Sequence, residues 1–126
     1  MTLAEYNSFC GGLVATSHVV QWGGAHVWKV GPAESAKVFA IGYWDDPAAH
    51  HSGISFKVSE IGWEVLRDAP GCRPAPYLAS RGMKWIQAFD AAALPGKDLK
   101  GYLEASHQIV ASGLSKKKQR ELGLLD

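Results

Sequence analysis

Positively charged side chains gather in the second half of the chain, where they would meet an anionic partner. Up to Pro70 the sequence has 4 Lys and Arg against 7 Asp and Glu, and from Gly71 onward it has 9 against 5. Trp85 stands beside Lys84 and offers a ring on which an unpaired base can stack. The residues expected to meet nucleic acid are Arg73, Arg81, Lys84, Trp85, Lys116, Lys117, Lys118 and Arg120. The formal net charge of only +1 argues against a strongly electrostatic binder.

Residues that could carry catalysis or bind a metal are sparse. No phosphate-binding loop, nucleophile elbow or paired-cysteine motif occurs. His50-His51 follows Asp45-Asp46 in one polar stretch, but adjacent imidazoles rarely face one ion without a third fixed ligand. Ser106 and His107 are neighbours in a predicted helix and point in different directions, so they form a poor nucleophile pair. We therefore expect a non-enzymatic protein without catalytic residues, metal or cofactor.

Two cysteines, Cys10 and Cys72, do not make a disulfide framework. Cys10 falls on the apolar face of the first predicted helix. Arg73 could lower the pKa of the Cys72 thiol, but without a nearby base or pocket this thiol is interpreted as structural or incidental. No apolar run approaches the ~20 residues of a membrane span, and the chain starts with a capped helix instead of a signal sequence. These features predict a reduced, cytoplasmic protein.

Helices are predicted from caps and from apolar spacing. Thr2 and Glu5 form a capping box, which predicts a helix from Thr2 to about Ala15. Ser59 is expected to cap a second helix, Asp98 a third, and Ser115 a short basic one running through Leu122. Ser106 in the third helix is expected to pack at a tight helix–sheet contact or to bond to a backbone carbonyl. The apolar stripe of the second helix is expected to comprise Ile61, Val65, Leu66 and Ala69.

Strands are predicted by alternation and by β-branched residues between turn signals. Their expected ranges are His18–Trp22, His26–Val30, Ala36 to about Trp44, Ile54–Val58 and Lys84–Phe89. Residues 69–83 are interpreted as a stiff connector that feeds a small hairpin, with Arg81 and Lys84 near its tip. Short connections predict an α+β fold in which a mostly antiparallel sheet has helices packed on one face. The whole chain, 1–126, is expected to be one domain, with 115–126 as a short basic C-terminal helix or tail.

The uncovered face of this sheet is expected to carry basic and aromatic side chains, because strand residues two apart share a face. They are Lys29, Lys37, Lys57, Phe39 and Tyr43. Such a face can bind nucleic acid by phosphate attraction and stacking. Alternatively, the lysines keep the exposed sheet soluble and the aromatic rings pair across strands.

Several segments together resemble the MmcQ/YjbR family, and they cover nearly the whole chain in the right order. They are 24–30 (GAHVWKV), 37–40 (KVFA), 54–58 (ISFKV), 70–77 (PGCRPAPY), 84–85 (KW) and 105–110 (ASHQIV). The resemblance implies a fold similar to frataxin-like and secretion-chaperone-like domains, and a double wing whose hairpins contact DNA. The chain departs from the family at 31–35, where members have a short Gly turn, and this places Glu34 on a wing tip and weakens the DNA interpretation there. It also has His107 where members often carry Tyr.

The leading functional interpretation is weak, largely non-specific nucleic-acid binding through a wing hairpin and the basic C-terminal half. A second is a protein-interaction or chaperone-like module whose open sheet face binds a partner or a second copy. A third is an enzyme or small-ligand binder that uses an aromatic pocket around Tyr77 and Trp85. No membrane partner is expected.

Overall fold

The computed structural model describes residues 1–43, 53–76, 78–89 and 94–125, with only the backbone of Ser80. These residues form α1 (Leu3–Gly11), β1 (Thr16–Gln21), β2 (Ala25–Val30), β3 (Lys37–Gly42), β4 (Ile54–Lys57), α2 (Glu60–Leu66), β5 (Cys72–Pro74), a 3₁₀ turn (Ala79–Arg81), β6 (Trp85–Ala88), α3 (Gly96–Ala111) and α4 (Lys116–Glu121). The predicted polar loop with His50-His51, and the predicted pocket residue Tyr77, lie outside the described residues.

The described strands form one sheet in the order β1-β2-β3-β4-β6-β5, and every neighbouring pair is antiparallel. β6 therefore lies between β4 and β5, and α2 makes the crossover that connects these two strands. β5 falls in the segment interpreted as a connector. The sequence did not indicate this pairing, because Pro74 has no backbone N–H to donate to a neighbouring strand. An edge strand tolerates proline, since one of its two sides has no neighbouring strand.

The main core lies between the sheet and the helices. Tyr6 and Cys10 of α1, Leu66 of α2, and Leu99 and Leu103 of α3 are buried against apolar residues of the sheet. The expected covered face is thus confirmed. A second, smaller cluster lies on the other face of the sheet, and its buried members are Ala25, Val27, Ile41, Ala75 and Trp85.

Three predicted helix caps are confirmed. The side-chain oxygens of Thr2, Ser59 and Ser115 accept hydrogen bonds from backbone N–H groups three residues further on. The expected cap at Asp98 is wrong, because α3 begins after Pro95. Asp98 instead lies in the first turn, where its charge favours the positive end of the helix. α1 also ends earlier than expected, at Gly11.

The predicted apolar stripe of α2 is wrong at two positions. Ile61 is 78% exposed and Val65 is 60% exposed, whereas Leu66 is buried. α2 has only 7 residues, so a single pair at i and i+3 decides its orientation. Trp63 and Leu66 make that pair and pack on the core.

Two aromatic residues expected on the open face lie on the covered face instead. The pairing of β2 with β3 shifts between Trp28 and Lys29, so that Phe39 is an extra residue on β3. A bulge of this kind breaks the two-residue alternation. Phe39 is therefore fully buried beneath α3, and Tyr43, which follows β3 with φ +54, packs its ring 5.2 Å from the Tyr6 ring.

Candidate nucleic-acid interface

The turn of the β5–β6 hairpin carries two of the predicted basic residues. Gly82 closes this turn in the left-handed conformation, with φ +78, and Arg81 just before it is exposed. The ammonium nitrogen of Lys84 lies 3.5 Å from Glu60 Oε1, and both side chains are largely in solvent. Exposed ion pairs contribute little free energy, so Lys84 can exchange this partner for a phosphate.

Arg73 lies on the open face of the edge strand β5 and is held there by two contacts. Its Nε donates to Gln87 Oε1 at 2.8 Å, and its guanidinium carbon lies 5.1 Å from the centroid of the Phe89 ring. Arg73 and Gln87 are also paired directly in the strand register. The side chain therefore places a fixed positive charge at this edge of the sheet.

Trp85 cannot stack on an incoming base from solvent, and this part of the predicted site is wrong. The side chain is only 3% exposed and forms part of the second cluster with Ile41 and Ala75. Its placement follows from β6 pairing with Lys57 of β4, which directs Trp85 to the open face beneath the β5–β6 turn. The indole N–H is buried and has no hydrogen-bond partner among the described residues.

A cleft of about 420 Å³ is lined by residues of the open face and by residues at the end of α3. Its walls are mostly apolar, and its two charged lining residues are Lys37 and Lys57. Met83 lines one side, next to Arg81 and Lys84. Gly113 lines another. The remaining lining residues are Trp22, Val38, Ile41, Leu78, Trp85, Ile109 and Val110.

The basic C-terminal residues follow this cleft directly in the chain. α4 begins three residues after Gly113, and Lys116, Lys117, Lys118 and Arg120 are all exposed. Leu114, in the same connection, packs within reach of Gly31 in the β2–β3 turn. The Lys116–Arg120 run thus follows a lining residue of the cleft in the chain, and Arg81 and Lys84 stand on either side of another lining residue, Met83.

Of the five residues predicted for the open sheet face, two line the cleft. They are Lys37 and Lys57. Lys29 is half-buried in β2 and is paired with Ser17 of β1. Tyr43 is separated from them, because its hydroxyl donates to the Met1 carbonyl beside α1.

Ser106 joins β3 and β4 at the point where their pairing ends. The pairing of β3 with β4 runs from Gly42–Ile54 to Ala40–Phe56. Beyond that point the Lys57 N–H of β4 donates to Ser106 Oγ at 2.9 Å. The same hydroxyl donates to the Phe39 carbonyl at 2.7 Å. One side chain thus bridges two diverging strands, which confirms the expected tight helix–sheet contact.

His107 is also used by the fold. Its Nε2 lies 2.8 Å from the Val14 carbonyl oxygen, and its ring meets the Phe39 ring edge-on at 5.2 Å. Ser106 and His107 therefore bond to separate backbone groups, as their adjacent positions in a helix predict.

Trp22 is a site residue that the sequence interpretation missed, because Trp85 was the tryptophan chosen for stacking. It lies at the tip of the β1–β2 hairpin, is 58% exposed and has φ +53. A bulky residue rarely adopts this backbone conformation. The signal was present in the sequence, since Trp22 directly precedes the Gly23-Gly24 turn and hairpin tips lie in solvent.

A pair of histidines on β1 and β2 was also missed. His18 Nε2 lies 3.0 Å from His26 Nδ1, and the rings stack with centroids 5.1 Å apart. Burial and the neighbouring His26 both lower the pKa of His18. The described residues contain no group of three or more His, Cys, Asp or Glu suited to hold a metal ion.

Both cysteines are buried free thiols. Burial raises the pKa of Cys10 to about 12 and raises the pKa of Cys72 as well. The expected effect of Arg73 on Cys72 is therefore outweighed by desolvation, which disfavours a reactive thiolate.

Fold and site together define an α+β protein whose antiparallel sheet is covered by helices on one face and has a cleft, with two lysines in its walls, between the other face and the end of α3. The YjbR family model matches residues 12–109, and the chain belongs to this family. The structure is similar to the crystal structure of protein DR2400 from Deinococcus radiodurans, which carries the family-model domain DUF419. The TM-score is 0.82 and the identity 25%, over 99% of this chain and 90% of that chain.

None of the curated proteins compared matches the chain. The family match and the structural likeness confirm the predicted family and the predicted α+β architecture. Among the described residues, no helix is long and apolar enough to cross a membrane.

Proposed function

We propose that this YjbR-family protein binds nucleic acid, weakly and largely without sequence preference, across the open face of its sheet. The observation that carries the proposal is the cleft, which has Lys37 and Lys57 in its walls and the lining residue Met83 between Arg81 and Lys84 in the chain. Lysine and arginine side chains attract phosphates and release the counterions bound to them. The β5–β6 hairpin and the basic C-terminal residues are the outer phosphate contacts.

Weak and non-specific binding follows from the kind of contacts available. Arg73 is engaged by Gln87, and Lys84 has Glu60 nearby, so only a handful of cations are free to meet phosphates. Phosphate contacts carry no sequence information. A dissociation constant of about 10⁻⁴–10⁻⁶ M is the range for such complexes at physiological salt.

The proposed role is binding without catalysis. Ser106, His107 and both cysteines, the side chains closest to nucleophilic chemistry, bond to the backbone or are buried. Binding and release of an intact nucleic acid need none of them.

Fluorescence anisotropy of a labelled oligonucleotide, titrated at several salt concentrations, tests the proposal. Two double variants remove two positive charges each, K37Q/K57Q in the cleft and R81Q/K84Q on the hairpin. Each lost phosphate contact lowers the slope of log affinity against log salt by about 1, so each pair should lower it by about 2.

The matched control is K97Q/K100Q, which removes the same charge from the exposed start of α3, against the covered face. It should leave affinity and slope close to wild type. The proposal is wrong if wild-type binding is undetectable at low salt, or if the control loses as much affinity as the two site variants.

A second candidate function is protein interaction, which is favoured by the edge strand β1. Val19 and Val20 are exposed there, on opposite faces of a strand whose outer backbone edge has no neighbouring strand in the described sheet. Such an edge can pair with another extended chain. Sedimentation of wild type and V20K over a range of concentrations tests self-pairing, and association that V20K abolishes is the expected result for this alternative.

A further inference from the structure

The cleft differs from a purely electrostatic surface because an exposed aromatic ring stands at its edge and apolar residues line its interior. Trp22 lines it from the tip of the β1–β2 hairpin and has more than half of its side chain in solvent, so its ring is available for stacking. Every nucleobase has a π-face, and stacking on an aromatic ring favours unpaired bases, because paired bases already stack on each other.

The interior of the cleft suits a base better than a sugar or a phosphate. Val38, Ile41, Leu78 and Met83 make it apolar. Trp85 lies among them with a buried indole N–H that has no acceptor among the described residues. A base supplies a flat apolar body together with ring nitrogens and carbonyl oxygens that accept hydrogen bonds.

Charge in the walls of the cleft fits the backbone of such a strand. Lys37 and Lys57 are the two charged lining residues. Lys37 pairs with Val30, at the end of β2 and β3 away from the Trp22 hairpin tip, so a strand with one base on Trp22 would meet the lysines a few nucleotides further on. Duplex DNA cannot present a base in this way without first unpairing it.

We infer that the cleft binds a short stretch of single-stranded nucleic acid, with one unpaired base stacked on Trp22 and phosphates further along the strand bound by Lys37 and Lys57. This inference rests on the proposed function and gives it a substrate class, single-stranded nucleic acid in preference to duplex.

The test compares a labelled oligothymidine with a mixed-sequence duplex of the same length, by anisotropy at one salt concentration. The wild type should bind the single strand more tightly. W22L should weaken single-strand binding by about 5- to 150-fold, the range for one stacked base, and change duplex binding less than about twofold. W22F keeps a ring at the same backbone conformation and should retain most of the affinity.

One further variant separates the cleft from general effects of losing an aromatic ring. F89L removes another exposed ring, which lies outside the cleft lining, and should not change the preference for single strands. Thermal unfolding of each variant checks that the fold is intact.

Photocrosslinking with 5-bromouridine in a single-stranded oligonucleotide gives an independent position for the base. The expected adduct is on Trp22. Equal affinity for single strand and duplex, an unchanged W22L, or adducts confined to residues outside the cleft would overturn the inference. If the Lys37 and Lys57 variants still lost affinity for both forms, the proposed function would stand without it.

Discussion

The Ser106 hydroxyl shows how one buried helix side chain can complete the hydrogen bonding of a sheet. It takes the place of a backbone partner for both the Lys57 N–H and the Phe39 carbonyl. β3 and β4 pair with each other only as far as Ala40 and Phe56, directly before this bridge.

S106A should therefore lower the free energy of unfolding by about 1–3 kcal/mol, since a buried donor and a buried acceptor both lose their partner. Urea denaturation measures this change, with the same slope of unfolding free energy against urea concentration used for both proteins. S112A is the control, because the Ser112 hydroxyl bonds to the Ile109 carbonyl in solvent and its loss should cost less than about 0.5 kcal/mol. A change in S106A no larger than that of S112A would contradict the bridging role.

The His18–His26 pair predicts a pH dependence of stability. Its hydrogen bond joins two ring nitrogens, so one ring must accept and cannot carry a second proton there. The pKa of His18 is lowered in the folded protein by burial and by His26. The unfolded chain, with an ordinary pKa of about 6.5, therefore takes up the proton first.

Stability should be full above pH ~6.5 and should fall as the pH drops below it towards the lowered pKa of His18. H18Q should flatten that part of the profile, measured as the free energy of unfolding from pH 7.5 to 5. An unchanged slope in H18Q would show that His18 does not carry the effect.

Among the elements, the hairpin tip of Trp22, Gly23 and Gly24 has three successive residues with positive φ. Only glycine adopts this conformation without strain. The space around Gly23 is open, with nothing within 4 Å of an added Cβ. A substitution there reports backbone strain alone.

G23A should lower the free energy of unfolding by about 1 kcal/mol through this strain. G101A is a matched substitution with the opposite expected effect on stability. Gly101 lies exposed inside α3, an added Cβ would again meet nothing within 4 Å, and alanine is the better helix former by about 0.5–1 kcal/mol. G101A should therefore stabilise the protein. Equal effects of the two substitutions in chemical denaturation would refute this account of the tip.

Most elements could be predicted from the sequence because their signals are local. The caps at Thr2, Ser59 and Ser115 and the alternation in Ile54–Val58 depend only on neighbouring residues. Pairing partners are not local. The bulge at Phe39 placed this ring on the covered face, and the positive φ of Tyr43 did the same for the Tyr43 ring. The short helix α2 packs through Trp63 and Leu66 and not through its predicted stripe.

The sequence predicted which charged residues of the site are exposed, but not which aromatic residue is. Arg81, Lys84 and the Lys116–Arg120 run are exposed as expected, since long cationic side chains seldom leave water. Which tryptophan reaches solvent depends on the surroundings of each ring. Trp85 is covered beneath the β5–β6 turn, and Trp22 is carried outward by the β1–β2 hairpin.

At the scale of the whole molecule, the two faces of the sheet have separate roles. Helices bury one face and supply most of the core. The other face has a small apolar cluster and a cleft with cationic residues at its edges. We expect the second face to change its environment when nucleic acid binds, and the first to remain as it is.

Chemical-shift mapping tests this central claim most directly, because it locates binding without any substitution. A ¹⁵N-labelled sample at low salt would be titrated with oligothymidine. The account predicts saturable shifts of the Trp22 indole N–H and of amides around Lys37, Lys57 and 81–84, and little change in α1 or the first half of α3. Shifts concentrated on those helices, or no shifts at a large excess of oligonucleotide, would contradict it.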